Sequence, residues 1–203
     1  MSLTKPSCWH PVLVILHWAT ALLVLGQYGL SRLMRDETRD LLGRFALYQW
    51  HKSIGLTVAG LVALRLALRL ITPAPAPADH IAWQGFLARA VHLGLYACLL
   101  ALPLTGLLMV SAAPIQIPTL YFGWFGIPHP IGPDKGTYEL MLRLHEQVFD
   151  VMTLLVRVHL GGVAVHHFVW RDGLPRRMWF TRRADRLTAE ERLSASALSR
   201  PAP

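Results

Sequence analysis

Four long apolar runs leave this chain few ways to fold outside a membrane. The first run, residues 11–31, contains no Asp, Glu, Lys or Arg, and a transmembrane helix needs about 20 consecutive apolar residues. It is also too long for a typical signal peptide, so we expect it to be retained. The other runs cover about residues 48–71, 86–110 and 144–170. We therefore predict an all-α fold, an integral membrane four-helix bundle.

Composition and charge support a membrane protein and argue against a nucleic-acid-binding one. Of the 203 residues, 53% are hydrophobic and only 16% are charged, and the formal net charge is +8. Nucleic-acid binding would favour basic and aromatic residues interleaved on one face. Here, eight arginines instead follow Trp170. Cys8 and Cys98 form no CxxC or CxxCH motif, so a disulfide scaffold, a zinc ribbon and covalent haem attachment are unsupported.

The distribution of basic residues predicts the orientation in the membrane. Four spans place both termini on the same side, with twelve lysines and arginines there and seven on the opposite side. Basic residues favour the cytoplasmic side, so we expect both termini in the cytoplasm. We assign residues 1–175 to the membrane domain and 176–203 to a basic, partly disordered cytoplasmic tail. Arg65 and Arg69 lie near the inner end of the second span, where long basic side chains can reach the headgroups.

The fourth run carries two histidines whose spacing suggests two stacked sites. His145 and His159 are fourteen positions apart, which is close to four helical turns, so both rings point to nearly the same face. Along the helix axis they are separated by roughly 21 Å. Ligands so far apart cannot share one tetrahedral zinc ion.

Two further histidines lie at matching depths in other spans. His51, in the outer half of the second span, matches His145, and His17, in the inner half of the first span, matches His159. Helix bundles build cofactor sites from side chains on facing helices, and imidazole is a natural axial ligand of haem iron. We therefore predict two metal centres, although a lone histidine in an apolar span is more often a packed, hydrogen-bonded residue.

Three other polar residues are weaker candidates for binding a cofactor. His92, near the inner end of the third span, is a candidate contact for a haem propionate or a quinone, and equally a plain interfacial histidine. Arg157 needs a partner such as Asp150 or a propionate. His166 is a reserve ligand, since it lies seven residues from His159 on a similar face.

Residues 111–138 are rich in proline, glycine and aromatics, and we expect an interfacial loop there.

Several segments resemble the bacterial cytochrome b-561 family of small four-helix dihaem membrane cytochromes. They occur in the family's order across all four spans, and they read LHWATALLVLGQYGL (16–30), WHKSIGL (50–56), VHLGLYACLLALPLTG (91–106) and LHEQVFDVMTLLVRVHLGGVAVHHFVWRDG (144–173).

The resemblance implies a specific cofactor content and function. It implies two non-covalent b haems, one ligated by His51 and His145 and the other by His17 and His159. It further implies electron transfer with ubiquinone in the bacterial inner membrane, and for some members oxidation of superoxide on the periplasmic side. Arg44, Lys52, Lys135 and Arg143 lie on the expected outer side and could attract superoxide by charge.

Two other functions remain compatible with the same sequence. One is a haem-bearing membrane anchor that passes electrons between a partner dehydrogenase or hydrogenase and quinone, for which a second protein subunit would be obligatory. The other is a small non-redox membrane transporter that uses the same histidines. Haem content distinguishes the transporter, and co-purification of a partner distinguishes the anchor.

Overall fold

Four long helices make up most of the molecule. The computed structural model describes residues 8–36, 38, 40–75 and 82–179. The helices are α1 (Pro11–Met34), α2 (Leu41–Ile71), α3 (Ala82–Ala112) and α4 (Lys135–Ala164). All four are long and apolar enough to cross a membrane, which confirms the predicted all-α membrane bundle. Most of the predicted tail, from residue 180 onward, lies outside the described residues.

Capping aspartates start two helices earlier than the apolar pattern predicts. The Asp40 carboxylate accepts a hydrogen bond from the Gly43 backbone N–H at 3.3 Å, so α2 begins seven residues before the expected position 48. The Asp134 carboxylate accepts one from the Thr137 N–H at 2.7 Å and starts α4 at Lys135. Hydrogen bonds from the Thr137 side chain and backbone lower the pKa of Asp134. Side-chain oxygens at such positions satisfy backbone donors of the first turn.

The helices pack in neighbouring pairs. The backbone of α4 lies closest to α3, the backbone of α1 lies closest to α2, and α2 also contacts α3. Val14, Val58 and Val62 are among the few fully buried apolar side chains. Large side chains such as Leu25 and Leu93 point outward and are 68% and 72% exposed, as expected for a surface that faces lipid.

The segment between α3 and α4 contains a short β-hairpin. Strands β1 (Thr119–Tyr121) and β2 (Phe125–Ile127) pair antiparallel, with Thr119 opposite Ile127. Phe122 and Gly123 both have positive φ, 48° and 78°, and Trp124 N–H donates to the Tyr121 carbonyl at 3.0 Å. Two successive positive φ values define a tight turn whose twist suits a hairpin.

The hairpin is attached to α2 by polar side chains on three successive turns of that helix. Gln49 accepts from the Leu120 N–H at 3.1 Å, and Ser53 donates to the Leu120 carbonyl at 3.0 Å and accepts from Phe122 N–H at 2.9 Å. The hydroxyls of Thr57 and Tyr121 are 3.0 Å apart. Ser53 is completely buried. The predicted interfacial loop is therefore folded onto α2, and Tyr121 packs against the protein.

Candidate functional site

The structure brings the four predicted ligand histidines together as two pairs. His51 on α2 faces His145 on α4 with ring centres 6.3 Å apart and an interplanar angle of 70°. His17 on α1 faces His159 on α4 at 6.4 Å and 72°. We call these the outer pair and the inner pair. Because α4 contributes one histidine to each, its fourteen-residue spacing sets the distance between them, roughly 21 Å along the axis.

The ring spacing within each pair fits a shared metal ion. An imidazole nitrogen binds a transition metal at about 2 Å and the ring centre lies ~1 Å beyond it, so trans imidazoles have centres about 6 Å apart. Both pairs have this spacing. Among the described residues, no three His, Cys, Asp or Glu side chains are arranged to hold a bare metal ion. The donor sets suit a macrocycle that supplies the iron's other ligands, as haem does.

The Thr105 hydroxyl contacts one ring nitrogen of His145 in the outer pair. This hydroxyl donates to the Ala101 carbonyl at 2.8 Å and lies 3.1 Å from Nδ1 of His145. A hydroxyl has only one proton, so while Thr105 donates to the Ala101 carbonyl, its Oγ1 accepts from the Nδ1–H of His145. The Nε2 of His145 then keeps its lone pair and is available to a metal.

Gly106 leaves room for the His145 ring. A Cβ atom at this position would lie 3.3 Å from Cε1 and 3.5 Å from Nδ1 of His145. The 3.3 Å separation is slightly tighter than ordinary van der Waals contact, so a side chain longer than a methyl group would press on the ring. Thr105 and Gly106 together define where the imidazole lies.

On the other side of the outer pair, two buried polar atoms have no hydrogen-bond partner among the described residues. Nδ1 of His51 and Oε1 of Gln27 make no hydrogen bond to any described residue. The amide nitrogen of Gln27 donates to the His51 carbonyl at 2.8 Å, which places its side chain against the turn that carries His51. Buried polar groups normally have partners, so these two atoms mark a site that can accept a polar group of a cofactor.

The inner pair differs because an arginine contacts one of its rings. A guanidinium nitrogen of Arg65 lies 2.9 Å from Nδ1 of His17. Arginine has only donors, so Nδ1 accepts the bond, and a neutral His17 carries its proton on Nε2. The guanidinium also lies 5.8 Å from the centre of the Tyr96 ring. The expectation that Arg65 reaches for the headgroups is wrong, because this side chain turns into the bundle.

A third imidazole lies beside the inner pair. The His92 ring centre is 5.3 Å from that of His159, which is shorter than the spacing expected for two trans ligands of one metal. His92 is also more exposed than His17. The geometry therefore favours His17 as the partner of His159 and places His92 beside them, where it can contact a bound cofactor.

The two remaining candidates lie away from the histidine pairs. Arg157 is exposed, and neither Asp150 nor any other described carboxylate pairs with it. His166 lies beyond α4 and contacts the Asp172 carboxylate. The structure thus places His159, and not His166, against His17. Thr105, Gly106 and Arg65 had no signal in the sequence, because contacts across helices depend on how the helices pack.

Comparisons with known proteins show which family this chain resembles. A family model described as prokaryotic cytochrome b561 matches residues 8–181. Cytochrome b561 homolog 2 of Escherichia coli is 28% identical over 182 residues, which cover 88% of this chain and 95% of that protein. Cytochrome b561 homolog 1 of the same organism is 25% identical over 172 residues, which cover 81% and 93%.

Proposed function

Because this chain belongs to the prokaryotic cytochrome b561 family, whose members are membrane-bound electron-transfer proteins with b-type haem, we propose that it carries single electrons across the bacterial inner membrane. In this proposal it binds two b haems and exchanges electrons with ubiquinone. The observation that supports the proposal is the presence of two histidine pairs on facing helices. The ring centres are 6.3 Å apart in the outer pair and 6.4 Å apart in the inner pair.

Each histidine has an assigned role. His51 and His145 would hold the outer haem, and His17 and His159 the inner haem. When bound, haem would supply an iron that exchanges one electron, and two histidines held to each iron would favour electron transfer over oxygen binding. Thr105 orients His145 through its Nδ1, a type of contact that fixes a ligand's tautomer and ring direction.

We place the outer pair on the periplasmic side and the termini in the cytoplasm, following the excess of basic residues on the terminal side.

Superoxide is the candidate donor at the outer end. Of the outer basic residues, Lys52 is held by the Pro118 carbonyl and the Thr119 hydroxyl, both at 3.3 Å, and Lys135 lies 3.9 Å from Glu139. Arg44 and Arg143 are the better candidates to attract an anion, since no described carboxylate pairs with them.

A reduced-minus-oxidised spectrum with haem quantitation tests the cofactor assignment. We expect two b haems per chain, with loss of one in His51→Ala and loss of the other in His159→Ala. His167→Ala is the matched control, because His167 is exposed and lies outside both histidine pairs. Among the aromatic rings of the described residues, its ring contacts that of Phe168 alone. A colourless protein, or two unchanged haems in either ligand variant, would refute the assignment.

Stopped-flow reduction tests the donor. Superoxide should reduce the haem of the purified protein faster than superoxide decays by itself, and Arg143→Gln should slow this reaction most at low ionic strength. A rate that equals spontaneous decay would exclude superoxide and favour a partner dehydrogenase as donor.

A further inference from the structure

The end of α4 has an unusual backbone. Residues Val165–Trp170 form a π-helical turn, Arg171 then adopts the left-handed conformation with φ 51°, and a short 3₁₀ turn follows at Leu174–Met178. π-Turns occur frequently at functional sites, and a residue other than glycine with positive φ is sterically disfavoured. Two such features in succession indicate a turn that is held in place by its surroundings.

Side-chain contacts hold this turn. The Asp172 carboxylate contacts Nδ1 of His166 and accepts a hydrogen bond from the Leu174 N–H at 2.9 Å. The indole N–H of Trp18 on α1 donates to the Met178 carbonyl at 2.8 Å. The segment after α4 is therefore fixed both to its own helix and to α1.

The turn encloses a basic cleft. The cleft has a volume of about 230 Å³. Its lining contains two arginines, two histidines and no acidic residue, and the residues are His166, His167, Arg171, Gly173, Pro175 and Arg176. Nε of Arg171 donates to the Phe168 carbonyl at 3.3 Å, which orients the guanidinium. Within the described residues, neither Arg171 nor Arg176 pairs with a carboxylate.

An apolar surface borders the cleft. Phe168 and Val169 belong to the same π-turn and are each 69% exposed, at the end of a helix long enough to cross the membrane. A ligand in the cleft would thus have its anionic group beside the arginines and any attached hydrocarbon beside these apolar side chains. Arginine binds phosphate through parallel donors, and basic pockets at the ends of transmembrane helices bind anionic lipid headgroups.

We propose that the cleft around Arg171 and Arg176 binds the phosphate group of an anionic phospholipid in the leaflet where α4 ends. Free phosphate shares the phosphate chemistry but lacks the hydrocarbon that the apolar surface of Phe168 and Val169 would contact. The site does not involve the histidine pairs, so it is independent of the haem assignment.

Native mass spectrometry of the haem-loaded protein in neutral detergent tests the site, with phosphatidylglycerol as the probe and phosphatidylcholine as the reference. We expect one phosphatidylglycerol to bind in preference to phosphatidylcholine. In Arg171→Gln with Arg176→Gln, its affinity should fall roughly fivefold for each guanidinium removed. Arg69→Gln with Arg89→Gln is the matched control, since it removes two charges on the same side of the bundle and outside the cleft.

A glycine variant separates loss of the guanidinium from loss of the turn. Glycine adopts the positive φ of position 171 without strain, so Arg171→Gly should keep the turn, keep the haem content and still bind phosphatidylglycerol less tightly. Equal lipid affinity in the parent and the cleft variants would overturn the proposal. Inorganic phosphate that raises the Tm of the parent as much as phosphatidylglycerol does would also overturn the lipid assignment.

Discussion

The outer and inner histidine pairs have nearly the same ring geometry but different surroundings. In the outer pair, the Thr105 hydroxyl donates to the Ala101 carbonyl and accepts a hydrogen bond from the Nδ1–H of a neutral His145, which leaves the lone pair of Nε2 available to a metal. In the inner pair, Arg65 donates to Nδ1 of His17, which leaves the Nε2 of a neutral ring protonated. A neutral His17 can use Nε2 as a ligand only after its proton moves to Nδ1 and Arg65 releases that nitrogen. In the proposed function, the outer pair thus presents one imidazole ready for ligation, while the inner pair has a cation beside one of its rings.

Gly106→Leu should give the largest difference between the two sites. The new side chain would occupy the space of the His145 ring, since even a Cβ would lie 3.3 Å from it, so we expect loss of the outer haem and retention of the inner one. Haem quantitation and the difference spectrum measure this result. Gly60→Leu is the control, because a Cβ there meets nothing within 4 Å. Equal loss of both haems would contradict a local role.

Thr105→Val should weaken the outer site without blocking it. The change removes the acceptor for Nδ1 of His145 at nearly constant volume, and loss of such an outer-shell contact typically lowers metal affinity about 10–100-fold. Haem titration of the apoprotein measures this loss. Thr153→Val removes a hydroxyl that, within the part of the chain that the structure describes, bonds only to the Phe149 carbonyl, and this change should leave haem affinity unchanged. An unchanged affinity in Thr105→Val would show that Thr105 does not orient the ligand.

Arg65→Gln should change the inner haem's potential more than its occupancy. A nearby positive charge stabilises the reduced state, so its removal should lower the inner midpoint potential by roughly 60 mV, which is about a tenfold change in the equilibrium. Arg65→Lys keeps the charge and should restore most of the difference. Spectroscopic redox titration resolves the two haems. A shift in the midpoint potential of the outer haem, and not of the inner one, would show that Arg65 does not act on the inner haem.

Asp134 should make the start of α4 sensitive to acid. Its lowered pKa means that its stabilising effect is complete above the ordinary aspartate pKa of about 4 and is lost as the pH falls through the lowered value. Asp134→Ala should lower the Tm at neutral pH by a small amount that disappears on acidification, while Asp134→Asn keeps a capping oxygen at all pH values. His145 lies nearer this end of α4 than His159, so the outer haem spectrum should respond first. If the spectrum of the inner haem changed at a higher pH than that of the outer haem, this order would be contradicted.

Helical spacing predicted the framework of the site but not its chemical environment. The fourteen-residue interval on α4 and the matching depths of His17 and His51 follow from helix geometry and bilayer thickness alone, and the ring centres of the two pairs lie 6.4 and 6.3 Å apart. Arg65 could not be placed in this way. Whether a basic side chain near a helix end reaches the headgroups or turns inward depends on which helix packs beside it.

The hairpin was missed for a different physical reason. Its strands are three residues each, too short for a periodic pattern, and the polar residues that hold it belong to α2. Gln49, Ser53 and Thr57 recur every four residues, but an interfacial or lipid-facing helix can carry the same residues. Their role depends on a segment more than sixty residues later in the chain, which no local pattern reveals.

This attachment has a consequence for biosynthesis. The polar groups on three turns of α2 find their partners in residues 118–122, so they remain without those partners until α3 has been made and has crossed the membrane. During that interval the end of α2 that carries His51 lacks its contacts with the hairpin. Neither histidine pair can form before α4 has been made, because α4 carries both His145 and His159. The hairpin should therefore fix the turn that carries His51 before the partner of His51 is synthesised.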